Sequence, residues 1–133
     1  MNSYYRKLNI LKNYTSLLKE IDDLTCDCAE LLAQATKVNQ TLHDDVGPAN
    51  HDNQSKIEGI TIKMAEKRNK LEAAIKQRNK IDNALESLPF KQQELIKESD
   101  MNNRSVYYAS KKMNMNYQYA CRLHSKVVKN MKI

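Results

Sequence analysis

Apolar residues recur through the first third of the chain at alternating steps of three and four residues. This spacing is typical of a helix that buries one stripe against another helix. The pattern has one local defect, an extra step of three between Ile21 and Leu24, and no Gly or Pro interrupts it. We therefore predict a helix over about residues 2–42. Its stripe consists of Leu11, Tyr14, Leu18, Ile21, Leu24, Cys28, Leu31, Ala35, Val38 and Leu42.

A second stripe with the same spacing predicts a helix over about residues 55–87. Eight of its ten positions are apolar. The other two are Lys67 and Arg78. They could favour one alignment of the paired helices over others, or leave room for the acidic group of a partner. The stripe consists of Ile57, Ile60, Met64, Lys67, Leu71, Ala74, Arg78, Ile81, Leu85 and Leu88.

Residues 43–54 separate the two stripes and have the composition of a polar loop. Gly47-Pro48 is the strongest turn signal in this segment, and Asn53 or Ser55 is expected to cap the following helix. A short polar connection between helices of similar length favours an antiparallel pair. Residues 1–88 are therefore predicted to form a long, coiled-coil-like helical hairpin.

Pro89 begins the last third of the chain. The residue before a proline is pushed out of the helical region, whereas proline itself fits the first turn of a new helix. We predict a helix over Phe90–Glu98, followed by a polar turn over Ser99–Arg104. The expected core contacts of this helix are Phe90, Leu95 and Ile96.

Residues 105–133 have the pattern of a helix-turn-helix. Ser105 is the expected cap of a short helix that ends at Lys112, and Asn116 is the expected cap of a longer helix that ends at about Met131. Between them, Asn114 is expected to adopt positive φ, where asparagine is the best substitute for glycine. Ser110 is small enough to let the helices approach closely. The inward positions are Val106, Ala109, Met113, Met115, Ala120, Leu123, Val127 and Met131. The predicted fold is all-α, a hairpin over 1–88 followed by a compact helix-turn-helix domain over 89–133.

Charge is distributed unevenly along the chain, and this distribution indicates the kind of partner that the last third binds. Residues 89–133 carry nine basic and three acidic side chains, so that this third alone has a net charge of +6. No acidic residue follows Asp100. A basic terminal block favours a polyanionic partner, of which nucleic acid is the commonest, and we expect double-stranded DNA.

The second helix of the predicted motif supplies most of the candidate DNA-binding residues. Gln118 and Arg122 lie one turn apart near its start, and their side chains can read base edges. Lysines farther along suit phosphates. The candidates are Arg104, Ser105, Tyr117, Gln118, Tyr119, Cys121, Arg122, Ser125, Lys126 and Lys129.

The last third also resembles a known family of DNA-binding regions. Leu88-Pro89, Gln93–Ile96 and Ser105–Asn116 are similar to region 4 of bacterial sigma-70-type factors, which binds the promoter −35 element. The ending Tyr119–Met131 resembles more closely the small phage and prophage regulators of the ArpU and RinA type. The resemblance implies sequence-specific promoter binding, activation of late phage genes and contact with RNA polymerase. The sequence departs from the sigma pattern at Tyr108, Tyr117 and Tyr119.

Other features restrict the remaining alternatives. No catalytic motif or metal-ligand spacing is present, so we expect neither an enzyme nor a cofactor. For His124 a phosphate contact or a packing role is expected. The three cysteines do not have the spacing of a disulfide framework, which indicates a cytoplasmic protein. No apolar run is long enough to span a membrane, so we expect the protein not to enter one. The hairpin could support a homo-oligomer. Two alternatives stay open: a DNA-packaging component similar to a small terminase subunit, and a coiled-coil interaction protein that does not bind DNA.

Overall fold

The computed structural model describes residues 3–44 and 51–133, with side chains described for 3–38 and 55–133. All regular structure in these residues is helical, which confirms the predicted all-α class. The helices are α1 (Ser3–Lys12), α2 (Tyr14–Asp44), α3 (His51–Glu86), α4 (Phe90–Ile96), a π-helix (Lys97–Met101), α5 (Val106–Lys112) and α6 (Tyr117–Asn130).

The first predicted helix is present, with one irregularity at Asn13 between α1 and α2. The backbone hydrogen bonds continue through this residue. Its N–H donates to the Asn9 carbonyl at 3.0 Å, and its carbonyl accepts from Leu17 at 2.9 Å. The chain therefore stays helical from Ser3 to Asp44 apart from this one residue.

The predicted loop is only partly observable. Residues 45–50, which include Gly47-Pro48, lie outside the described residues. Helix α3 begins at His51, four residues earlier than predicted. Asn53 and Ser55 consequently lie inside the helix, so the prediction that one of them caps it is wrong.

Helices α2 and α3 form the predicted antiparallel pair within the compact unit Lys19–Ile75. Asp27 Oδ2 lies 3.2 Å from Lys67 Nζ. Residues 34–38 lie beside residues 56–63, so that later positions on α2 meet earlier positions on α3. Lys67 interrupts the apolar stripe because it binds an acid of its own chain.

The second compact unit combines both ends of the chain, Met1–Leu18 and Lys76–Ile133. Leu11 of α1 and Ile81 of α3 are fully buried in the same core as Ile96 and Val128. The division therefore differs from the predicted boundary at Leu88. The physical reason is that α4, α5 and α6 are too short to enclose this core, and the helices on the N-terminal side supply part of it.

Two local predictions in this unit are corrected. Phe90 is 74% exposed rather than buried, because it occupies the first turn of α4, whereas Leu95 and Ile96 are fully buried as predicted. The segment predicted as a polar turn begins as the π-helix, with Asp100 buried. Burial of its polar groups is possible because they have partners. Ser99 Oγ, for example, donates to the Leu95 carbonyl at 2.6 Å.

Candidate nucleic-acid interface

Helix α5 begins at the predicted cap. Ser105 has extended backbone angles, and its hydroxyl oxygen accepts a hydrogen bond from the Tyr108 N–H at 3.1 Å. This bond satisfies a donor that the first helical turn would otherwise leave unpaired. Ala109 and Ser110 on the inner side are fully buried, so small residues allow the close approach that the motif requires.

The turn between α5 and α6 confirms the role predicted for Asn114, whose φ is 56°. The next residue, Met115, donates its N–H to the Ser110 carbonyl at 2.8 Å. Asn116 then caps α6, since its side chain accepts from the Tyr119 N–H at 3.2 Å. Met113 and Met115 pack against a small core of Leu95, Ala109 and Ala120.

Packing fixes the rotation of α6. Ala120, Val127 and Val128 are buried on one side of the helix. Because successive residues turn by about 100°, Arg122 lies on the opposite side. The exposed residues of that side are Gln118, Tyr119, Arg122, Lys126, Lys129 and Asn130, while Cys121 and Ser125 are half-buried at its edge.

The exposed side of α6 contains a shallow depression of about 550 Å³. It brings together five of the predicted residues with an additional one, Asn130, which sequence reasoning missed. Its position one turn after Lys126 was the available signal. No acidic residue follows Asp100 in the sequence, so α5 and α6 contain no carboxylate that would offset these basic groups. The lining residues are Cys121, Arg122, Ser125, Lys126, Lys129 and Asn130.

Aromatic contacts join the start of α6 to α5. The rings of Tyr107 and Tyr117 meet edge to face with centroids 5.4 Å apart. The Lys111 ammonium lies 5.3 Å from the centroid of the Tyr107 ring. A hydrogen bond with the Cys121 thiol raises the pKa of the Tyr117 phenol. Tyr117 is therefore held in place at the N-terminal end of α6, although it is 47% exposed.

Five of the predicted residues do not line the α6 depression: Tyr117 and Gln118 at the start of α6, and Arg104, Ser105 and Tyr119. Arg104 and Ser105 are exposed at the start of α5, where the Arg104 guanidinium lies 5.0 Å from the centroid of the Tyr108 ring. Tyr119 lines a different cleft of about 600 Å³, together with Phe90 and the methionines of the turn. Tyr119 is also 57% exposed and lies three residues before Arg122, so it adjoins the surface formed by Arg122 and its neighbours.

His124 lies on the buried side of α6. Its Nε2 is 2.5 Å from Asp100 Oδ2, and the two side chains are only 5% and 6% exposed. The ring also meets Tyr4 edge to face. Of the two roles predicted for His124, packing is the one observed, because a buried imidazole cannot reach a phosphate. The pair fixes α6 to the π-helix.

Two basic residues of the N-terminal helix contact the C-terminal end of α6, which sequence reasoning did not anticipate. Lys7 Nζ donates to the Lys129 carbonyl at 2.8 Å, and Arg6 donates to the Ile133 carbonyl at 3.0 Å. Both cations satisfy carbonyls at or beyond the end of α6, where positive charge is favourable. The Arg6-Lys7 pair was visible in the sequence, but nothing local indicated that it would meet α6.

Comparison with protein-family models, with curated proteins and with solved structures finds no significant match. Within the described residues, no helix is long and apolar enough to cross a membrane. The same residues contain no cluster of three His, Cys, Asp or Glu side chains that could hold a metal ion.

Proposed function

We propose that this protein binds double-stranded DNA in a sequence-specific manner through α5, the turn and α6. The observation that carries the proposal is the orientation of α6. Its apolar side is locked into the core, so Gln118 and Arg122 are presented one turn apart on the opposite side. A helix that follows such a turn enters the major groove with its N-terminal residues against base edges.

Each part of the surface has a distinct role in this proposal. Arg122 donates two hydrogen bonds to guanine, and Gln118 reads an adjacent base. Lys126 and Lys129 lie farther along α6 and bind phosphates, which sets the register of the helix on the duplex. Arg104, at the start of α5, binds a phosphate beside the groove.

The biological role proposed for this binding is transcription regulation in the cytoplasm. The resemblance of Leu88–Asn116 to sigma region 4, and of the ending to phage and prophage regulators, supports an activator of late phage genes. Contact with RNA polymerase belongs to the same proposal. It implies no catalytic step, because DNA recognition of this kind requires only positioned donors and charges.

The experiment is selection of preferred duplexes from a random pool, followed by titration of the preferred and a random duplex. Arg122→Ala should weaken binding to the preferred duplex by roughly 1–3 kcal/mol and relax the choice of base at one position. Lys129→Ala should weaken binding to both duplexes about equally and lower the salt dependence by about one counterion.

The matched control is Lys70→Ala, which removes an exposed lysine from α3 and leaves the proposed surface intact. It should change neither affinity nor base preference. If Arg122→Ala reduced binding to preferred and random duplexes equally, the base-reading role of this residue would be refuted. If no duplex bound above the control level, the entire proposal would fail.

A further inference from the structure

The first and last helices of the described residues, α1 and α6, pack against each other. Leu11 of α1 and Val128 of α6 are fully buried in the same core. Two turns earlier on α1, the ring of Tyr4 meets the His124 imidazole edge to face, with centroids 6.5 Å apart. Contacts at two points along α1 fix its position relative to α6, because closely packed side chains allow little sliding.

The two segments that meet here are free of acidic residues. Residues 1–18 carry three basic and no acidic side chains, and residues 101–133 carry seven basic and no acidic side chains. The five acidic residues of this compact unit all lie within residues 76–100. The fold therefore brings two positively charged segments together. Like charges at such a junction repel each other, and a bound anion lowers this repulsion.

The acids of residues 76–100 do not pair with the cations of this junction. Asp82 accepts a hydrogen bond from a tyrosine hydroxyl at 2.7 Å. Glu98 and Asp100 pair with a lysine of α5 and with the buried histidine of α6. Among the side chains that the structure describes, no carboxylate forms an ion pair with a lysine or arginine of α1 or α6. The remaining two acids of the segment are Glu86 of α3 and Glu94 of α4.

Two lysine ammonium groups lie where α1 reaches the end of α6. Lys7 Nζ donates to the Lys129 carbonyl at 2.8 Å. Lys129 Nζ lies 5.8 Å from the centroid of the Tyr4 ring. Because Tyr4 and Lys7 are three residues apart on α1, they are neighbours on one face of the helix. Both ammonium groups therefore lie beside the same part of α1, and we call Lys7 and Lys129 the basic pair.

The contacts within the protein leave the basic pair able to bind an anion. The carbonyl that accepts from Lys7 is neutral, so the ammonium keeps its charge, and only one of its three N–H donors is used. The contact with a ring face likewise leaves Lys129 charged. Lys129 and the bond from Lys7 are both exposed to solvent. Lys7 also offsets the partial negative charge at the end of α6, which would otherwise repel an anion.

We infer that α1 is part of the DNA-binding surface, and that the basic pair binds a backbone phosphate of the duplex whose major groove α6 enters. This inference rests on the proposed function. Gln118 and Lys129 are eleven residues apart in sequence, or ~16 Å along α6. The major groove is about 12 Å wide, so the end of α6 reaches a sugar–phosphate strand when Gln118 meets base edges. Lys7 supplies a second cation at that strand.

A phosphate contact by Lys7 has a different signature from base reading by Arg122. Contacts with the backbone supply affinity and fix the register of the protein, but they carry no information on sequence. Lys7 should therefore contribute equally to binding of every duplex, and its contribution should depend on salt.

The first experiment titrates the chain with the preferred and a random duplex at several salt concentrations. Lys7→Gln keeps a donor for the Lys129 carbonyl but removes the charge. It should weaken binding to both duplexes roughly fivefold at ~0.15 M salt and lower the salt dependence by about one counterion. Lys7→Arg keeps the charge and should bind as the wild type does. The matched control is Lys12→Gln, which should change neither quantity, because Lys12 is an exposed lysine of α1 turned about 140° away from Lys7.

The second experiment locates the phosphate. In a series of preferred duplexes, one phosphate at a time is replaced by an uncharged methylphosphonate. At a position beside the groove, this replacement should weaken binding of the wild type and leave the affinity of Lys7→Gln nearly unchanged, because the contact is already lost in the variant.

Several results would overturn the inference and leave the proposed function intact. These are equal binding by Lys7→Gln and Lys12→Gln, a loss confined to the preferred duplex, or equal methylphosphonate effects on the wild type and Lys7→Gln at every position. A lower urea midpoint of Lys7→Gln with an unchanged salt dependence would show that Lys7 only caps α6, and would also overturn it. If the wild type bound no duplex, the inference and the proposed function would fail together.

Discussion

The buried pair of His124 and Asp100 provides the strongest test of how α6 is held in place. Asp100→Ala removes the carboxylate that lies 2.5 Å from the imidazole, and both side chains are almost completely buried. Whatever the protonation state of His124, its Nε2 is then left without this partner and away from water. Breaking a buried pair in this manner typically costs about 3–5 kcal/mol. Domains of this size are stable by only about 5–15 kcal/mol, so the substitution should remove a large part of the free energy of unfolding.

The assay is urea denaturation monitored by hydrogen exchange of the α6 backbone amides, which reports on this compact unit and not on the hairpin. With a urea dependence of about 2 kcal/mol per molar, the midpoint should fall by about 2 M. Asp100→Asn retains an oxygen that can accept from Nε2, and should lose clearly less. His124→Ala combined with Asp100→Ala should cost less than the sum of the two single substitutions, because the second removes a group already unpaired.

An exposed ion pair on the same π-helix is the control. Glu98 Oε2 lies 2.9 Å from Lys112 Nζ, and the lysine side chain is 54% exposed. Water and salt screen such a pair, so Glu98→Gln should leave the midpoint almost unchanged. The reasoning would be refuted if Asp100→Ala and Glu98→Gln had equal effects, or if the two substitutions of the buried pair were additive.

Three further predictions concern the turn, the core and the surface. At Asn114, where φ is 56°, glycine should preserve the melting temperature and valine should lower it, and equal melting temperatures would contradict the strained turn. Burial, reinforced by the hydrogen bond to Asp82, raises the pKa of Tyr14 to about 12. The contribution of the un-ionised Tyr14 phenol to the free energy of unfolding is therefore complete below pH ~10, and it declines as the pH rises toward 12. In an absorbance titration Tyr14→Phe should remove the phenol that ionises last; an unchanged curve would refute the assignment. Finally, maleimide modification of Cys121 should block DNA binding, and bound DNA should slow the modification, in a chain whose other two cysteines are replaced by serine. Modified protein that bound normally would exclude Cys121 from the interface.

Elements whose conformation depends on nearby residues could be predicted closely. The capping roles of Ser105 and Asn116 and the positive φ of Asn114 follow from bonds that span only a few residues. The inward side of α6 follows from the helical period, since Ala120 and Val127 are buried as predicted. Most of the candidate interface could be assigned because α6 is amphipathic, so that knowing its inner side also identifies its outer side.

Features that depend on distant segments could not be predicted. Asp100 lies in a polar stretch typical of a turn, and its burial depends on His124, which is 24 residues away in sequence. Phe90 has an apolar side chain, yet no other segment covers it. Tyr119 is on the predicted helix, but the adjacent α4 places it in a separate cleft.

The order of the residues was enough to predict the long helices, the turn before α6 and the basic outer side of α6. It was enough because periodicity and capping act over one or two helical turns. In contrast, packing between distant segments brings Leu11 and Ile81 into the core beneath α6 and Lys7 to the end of that helix. An apolar stripe on a helix is stable only when it is buried, and this requirement can be recognised from the sequence. Which segment buries it depends on how the side chains of the whole chain pack together.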